Sequence, residues 1–367
     1  MSDVHIIGGG IAGLLTALEL ADQGLRVTIL ERDRLAREAS WAGGGILSPL
    51  YPWRYGEQIN LLARYGQQHY PDLCARLADT TGIDPQYLRS GLFVYAPGEE
   101  ERALAWAENW QPDVELVDAR HIAEMEPQRR DPPAPMLWFP DIAQVRNPRL
   151  MKALARALEQ HDVELLEGVE VTALEPRENG ILRLHTNGNE KILADRVVVC
   201  AGAWSRKLLE ALPSPPQIRP VRGQMLLFRG RPGLIRHMML EDNRYVIPRK
   251  DGRILFGSSL EEAGFDKQEN TAVLEELRTT ALDRFPVLAE LPLEAHWAGL
   301  RPGSPDGTPF IGPHPSVDNL WVNAGHFRNG LVLGPASARL TAELVTGRAP
   351  FIDPAPYALT APRGTSP

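Results

Sequence analysis

The segment from residue 4 to residue 31 constrains the fold more than any other. VHII is a short β-type run, GGGIAG follows it at once, TALELADQGL carries apolar residues at helical spacing, and RVTILE is a second β-type run ending in Glu31. Strand, glycine turn, helix, strand and terminal acid stand in the order and spacing of a dinucleotide-binding βαβ unit. Gly8 lets the turn close, Gly10 lets backbone approach a diphosphate, and Gly13 lets helix and strand pack closely. The helix start turns unpaired N–H groups toward the phosphates. Glu31 is placed to accept hydrogen bonds from an adenosine ribose, which points to FAD or NAD rather than NADP. A glycine-rich turn without a ligand is the alternative, and the strand before it and the acid behind it weigh against that.

A second glycine segment, ASWAGGGILSPLYPW, begins at Ala39. Gly43, Gly44 and Gly45 in succession suggest backbone lying against something flat or charged. Their neighbours Trp41, Ile46 and Leu47 argue against a surface loop, so a second contact on a long cofactor is expected, which favours FAD. Beyond it, 57–81 reads as a helix despite Pro71, GLFVYA as a strand and EEERALAWAENW as a helix. The proline-rich run PQRRDPPAPMLWFPDIAQVRNPRL reads as a crossing between domains rather than a regular element. Asn147-Pro148 starts another helix. Short β-type runs follow, with Asn187-Gly188 suited to a hairpin turn. RVVVCAGAWS places Gly202 at the carboxyl end of a strand, where open α/β sheets bind ligands, and that strand is expected to return to the first sheet. Residues 218–260 alternate again, 268–284 reads as a helix, and no period of 20 to 50 residues repeats. A β-rich block between two pieces of dinucleotide domain predicts a second domain inserted into the first.

Composition narrows the classes. A net charge of −8 leaves no basic footprint for nucleic acid. Cys74 and Cys200 stand far apart in no metal-like spacing, so neither a disulfide framework nor a metal site is expected. No apolar run approaches about 18 residues, and MSDVHIIGGG runs directly into a strand without a leader pattern. An integral membrane segment and export are therefore not expected, and a cytoplasmic location is.

Three residues stand out chemically. Arg301, in AGLRPGSPDGTPFIG, sits among turn formers after an apolar run, which places it on a loop leaving a strand with its base covered. A covered guanidinium calls for an anion and matches a carboxylate two-pronged, although a structural salt bridge would also suffice. Tyr245, in NRYVIPR, shares a strand face with Ile247, and its hydroxyl needs a partner if buried. Arg328, in GHFRNG, precedes a helix starting near Gly330, where a cation is awkward unless an anion is present. His237, His296 and His326 lack patterned partners and read as packing. There is no G-x-S-x-G elbow, H-E-x-x-H, P-loop lysine or paired-cysteine motif. A flavin supplies its own electron chemistry and needs mainly binding and orientation from the protein.

GGGIAG with Glu31, SWAGGGIL, VVVCAGAWS, NRYVIPR, WAGLRPGSPDGTPFIG and AGHFRNGLVLGPASA together resemble the glycine oxidase branch of the FAD-dependent D-amino-acid oxidase family, in order from residue 3 to about 350. The resemblance implies an α/β fold: a Rossmann-like FAD-binding domain with an interleaved α+β substrate domain containing a large antiparallel sheet. The FAD-binding domain would comprise 1–50, 141–215 and 301–367, and the substrate-binding domain 51–140 and 216–300. FAD would be non-covalent, because no flavin-linking cysteine lies beyond Cys200. Ile11, Ala12, Glu31 and Arg32 would hold its adenosine and pyrophosphate part. Ala39, Ser40, Gly44, Gly45 and Ile46 would continue along it, and Val171 would meet the adenine region. His326, Phe327, Arg328, Asn329, Gly330 and Leu331 would approach the flavin, with helix-end N–H groups near the oxygen that gains negative charge on reduction.

In the same resemblance Arg301 clamps the substrate carboxylate, Tyr245 hydrogen-bonds it, and Arg328 lines the same pocket. Asn243 replaces a histidine and Leu260 a methionine found in relatives, which bears on substrate preference. The implied reaction is oxidative deamination of glycine and other small amino acids, sarcosine and small D-amino acids among them. Hydride passes to flavin N5, and dioxygen yields hydrogen peroxide beside the 2-oxo acid and ammonia. The implied setting is thiazole formation in thiamine biosynthesis, and the implied assembly a homo-oligomer, a tetramer. A quinone- or dye-linked D-amino-acid dehydrogenase and a non-catalytic flavoprotein subunit are the competing readings.

Overall fold

Two sheets share the chain, and their strand order follows from the hydrophobic pattern. A computed structural model describes residues 3–188 and 191–364. Val4–Ile7, uniformly buried, lies at the centre of a six-stranded sheet. On one side it pairs in parallel with Val27–Glu31, which pairs with Glu164–Glu167. On the other it pairs with Val197–Val199, which pairs in parallel with Leu320–Ala324. Phe310–Pro313 closes that edge antiparallel. Central strands buried on both faces carry continuous Val/Ile/Leu runs, as parallel sheets require. The returning strand expected at 197–199 is thus in the first sheet.

Helices Ile11–Asp22, Glu57–Thr81, Asn147–Gln160 and Gly330–Thr346 pack on one face in a common core. A small antiparallel sheet of Val171–Pro176, Leu182–Thr186 and Lys191–Ala194 contributes to the core on the other face. Its second and third strands flank Asn187-Gly188 as a hairpin, although Asn189 and Glu190 of the connection lie outside the described residues.

The second sheet has eight strands, running Leu293–Gly303, Arg219–Arg229, Arg253–Gly257, Arg244–Pro248, Met238–Glu241, Leu92–Val94, Met136–Phe139 and Glu115–Val117. All its pairings are antiparallel except Met238–Glu241 with Leu92–Val94. Separate apolar clusters cover its two faces.

Three expectations need correction. MLWF, within the proline-rich run, is a fully buried strand of the large sheet. The flanking prolines end it without entering the ladder, as prolines at strand ends can. The helix Glu57–Thr81, assigned with 51–140 to the substrate domain, buries Ile59, Leu62, Ala63, Tyr70, Cys74 and Leu77 in the core of the first sheet. There Gly66 lies so close to the Val332 carbonyl that a Cβ would overlap it, and the Tyr70 hydroxyl donates to Leu331 O at 2.8 Å. A chain-order boundary at residue 51 could not foresee that contact 261 residues away. Finally, Arg301 lies inside the strand Leu293–Gly303 rather than on a loop. The strand runs on through the turn formers Pro302 and Gly303, so the loop begins two residues after Arg301.

Candidate active site

The carboxyl ends of Val4–Ile7, Val197–Val199 and Leu320–Ala324 open onto a cavity of about 450 Å³, within the range of small-molecule sites. The crossover turns build its first wall. Gly8 has φ +110, and a Cβ there would meet Cys200 O at 2.5 Å. Gly13, expected with the cofactor-binding glycines, is not among the cavity-lining residues; a Cβ there would overlap the Gly8 carbonyl, so the glycine permits the close approach of helix and turn. Gly8, Gly10, Ile11, Ala12, Glu31 and Arg32 line the cavity.

Glu31 is 8% exposed, and its two carboxylate oxygens accept from Gly9 N at 2.8 Å and Asp33 N at 3.1 Å. Burial raises its pKa, and those N–H groups oppose the rise. Arg32 pairs with Glu38 at 2.8 Å, and its guanidinium carbon stands 3.6 Å above the Trp204 ring centre. Val171 and Gly202 complete this end. Gly202 has φ +53, so its expected place at a strand end is also a left-handed turn.

The second glycine segment forms the middle wall, where Ala39, Ser40, Gly44, Gly45 and Ile46 all line the cavity. Ser40 Oγ accepts from Ile11 N at 2.8 Å, tying this wall to the first helix start. A Cβ on Gly44 would come within 2.6 Å of Ile247 Cδ1 and 3.2 Å of the Tyr245 ring. Thus Tyr245 and Ile247 do share a face, and that face presses on Gly44.

The large sheet supplies the opposite wall. Cross-strand partners lie on one face, and the register aligns Val221 with Arg301, Gly223 with Gly299, and Met225 with both Trp297 and Gly257, which in turn faces Tyr245. Arg301 therefore points along the same face as Tyr245, and its guanidinium lies across the Cα of Gly223. It donates to Ser258 Oγ at 2.6 Å, Ser259 O at 3.1 Å and Arg222 O at 3.3 Å.

The anion expected for Arg301 is not a protein group: among the described residues it makes no ion pair, because Glu261 is taken by Arg222 at 2.7 Å and by Ser259 and Gln224. Burial lowers the Arg301 pKa; Tyr245 opposes this and the Arg328 charge adds to it. Tyr245 is buried; its hydroxyl donates to the Met225 sulfur at 3.4 Å, a weak acceptor, while its oxygen faces the Arg301 guanidinium.

The third wall is the turn before Gly330–Thr346. His326 bridges Gly303, and Phe327 N donates to Pro302 O at 2.9 Å, which fixes this turn to the strand end carrying Arg301. His326, Phe327, Arg328, Gly330 and Leu331 line the cavity, whereas Asn329 does not. It is buried at the helix cap, facing elsewhere. Arg328 makes no hydrogen bond or ion pair among the described residues, but its charge acts on Tyr51 and Arg301.

His326 is buried, its Nε2 lies 3.1 Å from Ser337 Oγ, and burial pulls its pKa down to about 4. The unfolded imidazole titrates near 6.5, so the native state binds fewer protons and loses stability as pH falls below that value toward about 4. This residue alone should remove about 2 kcal/mol between pH 8 and pH 5. Urea unfolding of the native chain and of His326→Gln at the two pH values measures it. Equal pH dependence of the two proteins would refute the assignment.

Sequence reasoning missed Gly223, Met225, Ser258 and Gly299. The available signal was glycine inside a β-type run in VRGQMLLF, which marks close approach. What approaches is Arg301, visible only once the register is known.

Two helices, Ile11–Asp22 and Gly330–Thr346, start at this cavity without a cap from their own N-cap side chains and without an acid in the first turn. Their positive ends suit one elongated ligand carrying negative charge at two places. A diphosphate at one and a ring that becomes anionic at the other meet that requirement, and the residues fit FAD.

Comparison with known proteins agrees with this geometry. The family model for DAO, FAD dependent oxidoreductase, matches residues 3–344. A glycine oxidase of Pseudomonas aeruginosa is 46% identical over 356 residues, covering 97% of this chain and 98% of that protein. A bifunctional protein ThiO/ThiG of Trichormus variabilis is 32% identical over 350 residues, 94% of this chain and 52% of that protein. The crystal structure of glycine oxidase from Geobacillus kaustophilus superimposes with a TM-score of 0.94 at 29% identity, covering 99% of each chain.

Proposed function

The chain belongs to the family of FAD-dependent oxidoreductases, DAO, and from that premise we propose that it oxidises glycine, sarcosine and small D-amino acids to the 2-oxo acid and hydrogen peroxide, releasing ammonia, or methylamine from sarcosine. The observation that carries the reading is Arg301, a cation without a carboxylate partner among the described residues, sharing a sheet face with Tyr245 opposite the Gly44 wall. FAD when bound supplies the two-electron acceptor and the route of those electrons to dioxygen.

Each remaining task falls to the chain. Arg301 offers its planar fork to the substrate carboxylate, and the Tyr245 hydroxyl exchanges a weak sulfur acceptor for a carboxylate oxygen. Arg328 adds a second positive charge on the same space. Two guanidinium groups repel an ammonium, so they lower the substrate amine pKa and favour the neutral amine that must release electrons.

From the large sheet the cavity receives Gly223, Met225, Tyr245, Gly299, Leu300, Arg301 and Pro302, none of which is an acid or a histidine. His326 stays neutral near pH 7 and is occupied by Ser337. The wall thus provides orientation and no evident proton acceptor, consistent with oxidation that relies on positioning. Gly223 and Gly299 keep it flat, which suits a substrate with little or no side chain. The imine released hydrolyses in water. The likeness to a ThiO/ThiG protein is compatible with supply of the imine or glyoxylate to thiazole formation in thiamine biosynthesis.

An anaerobic panel on the FAD-loaded protein tests this. Glycine, sarcosine and D-alanine are expected to bleach the flavin absorbance, and under air peroxide should match the ammonia released from glycine. Bleaching with turnover only on a dye acceptor would instead identify a dehydrogenase, and no bleaching by any of them would mean a non-catalytic flavoprotein.

A further inference from the structure

Tyr245 and Ile247 project from the face of Arg244–Pro248 that presses on Gly44, and Arg249, the residue after the strand, reaches to the same glycine. The first two touch the glycine from the side, and the third grips its backbone. Arg249 donates to Gly44 O at 2.8 Å, Val145 O at 2.9 Å and Gln144 Oε1 at 2.7 Å. Val145 N in turn donates to Gly45 O at 2.9 Å, and Ile46 bridges Gln144. One guanidinium therefore joins the glycine wall, the segment behind it and the strand that carries Tyr245.

Its electrostatic situation is unusual. Arg249 is 7% exposed, and every partner is a neutral oxygen. Among the described residues it makes no ion pair. Asp251, the acid that acts on it, is held by Arg146 at 2.5 Å and Arg253 at 2.8 Å. Burial brings the guanidinium down to about 9, with Arg146 pushing the same way, so it remains a cation near pH 7. A buried charge satisfied only by carbonyl dipoles is costly, and no acid among the described residues pairs with it directly. Gly44, whose carbonyl it holds, lines the cavity.

We propose that Arg249 is a positioning residue for the cofactor: it fixes the Gly43–Gly45 wall, and its unpaired charge favours the reduced, more negatively charged form of the flavin. This rests on the reading of the cavity as an FAD site. A cation set one carbonyl behind the wall stabilises a negative charge in the cavity more than a neutral ring, because little water lies between them to screen it. Removing the charge should therefore weaken binding of reduced FAD more than of oxidised FAD.

The experiment compares wild type, Arg249→Met and Arg249→Lys as FAD-loaded proteins, with the midpoint potential read against reference dyes during dithionite or photochemical reduction. The Met variant is expected to shift the reduction equilibrium at least tenfold toward oxidised flavin, about 30 mV for a two-electron couple. FAD dissociation, followed by flavin fluorescence, is expected to weaken by a similar factor or more. The Lys variant keeps the charge but not the fork, so its equilibrium should stay within about threefold of wild type while FAD binding still weakens. A Met variant with wild-type potential overturns the proposal. Should that variant not fold, Gln144→Glu places a carboxylate where an amide oxygen now receives Arg249 and neutralises the cation in place. It is expected to shift the equilibrium in the same direction, and an unchanged potential would overturn the proposal equally. No amino acid substrate is needed, so failure of the proposed oxidase activity would show separately, in the panel on wild type.

Discussion

Arg301→Ala is expected to lower kcat/KM for glycine by at least about thirtyfold, about 2 kcal/mol, while leaving FAD bound and the fold intact. The size follows from truncating one partner of a desolvated charged hydrogen bond between enzyme and substrate. The survival of the fold follows from what Arg301 touches. Its acceptors are one hydroxyl and two carbonyl oxygens, and no carboxylate would be stranded by its removal. Deleting an unpaired, half-buried cation relieves a desolvation cost that offsets the hydrogen bonds lost. Steady-state kinetics should place the loss chiefly in KM, since the clamp acts on bound carboxylate, with urea unfolding as the control. Activity within twofold of wild type would sink the clamp assignment. Arg328→Ala is the informative companion: among the described residues Arg328 makes no hydrogen bond to lose, so a rise in the KM for glycine reports its charge.

How much of this was legible in advance differs between the two sheets. The first was readable because its function is local. Gly8, Gly10, Gly13 and Glu31 lie within one βαβ unit, and each constraint acts between neighbours in sequence. The second sheet was readable only as alternation. That Arg301 lies over Gly223, and that both share a face with Tyr245, depends on a register joining residues more than 70 apart. Local signals were misleading where turn formers stood close behind a strand, as at Arg301, or on both sides of one, as at Met136–Phe139. The helix Glu57–Thr81 was correctly bounded but wrongly housed, because periodicity reports which face is apolar and not which core receives it. Arg249 gave no sign at all: an arginine after a β-type run reads as solvated until its partners prove to be backbone carbonyls.

Gly223→Ala should reproduce much of the Arg301→Ala phenotype while leaving Arg301 itself in place. A Cβ at residue 223 would overlap the Arg301 guanidinium, the movable end of a flexible side chain, so the strand can accept it by letting the arginine swing aside. The backbone presents no obstacle, since Gly223 lies mid-strand outside the positive-φ set, paired with Gly299. The displaced guanidinium gives up its bonds to Ser258, Ser259 and Arg222, but these acceptors carry no charge and relief of the cation's desolvation offsets the loss, so stability should fall only modestly. Orientation suffers more, because a clamp displaced by about 1 Å can cost on the order of a hundredfold in rate. The expected result is a kcat/KM for glycine reduced at least tenfold, with FAD affinity unchanged. The double variant separates this route from general damage to the sheet. If Gly223 acts through Arg301, adding Gly223→Ala to Arg301→Ala removes little further activity, the non-additivity of two changes on one interaction. Independent, additive losses would mean that the glycine serves the cavity directly, by keeping its floor flat beneath the substrate.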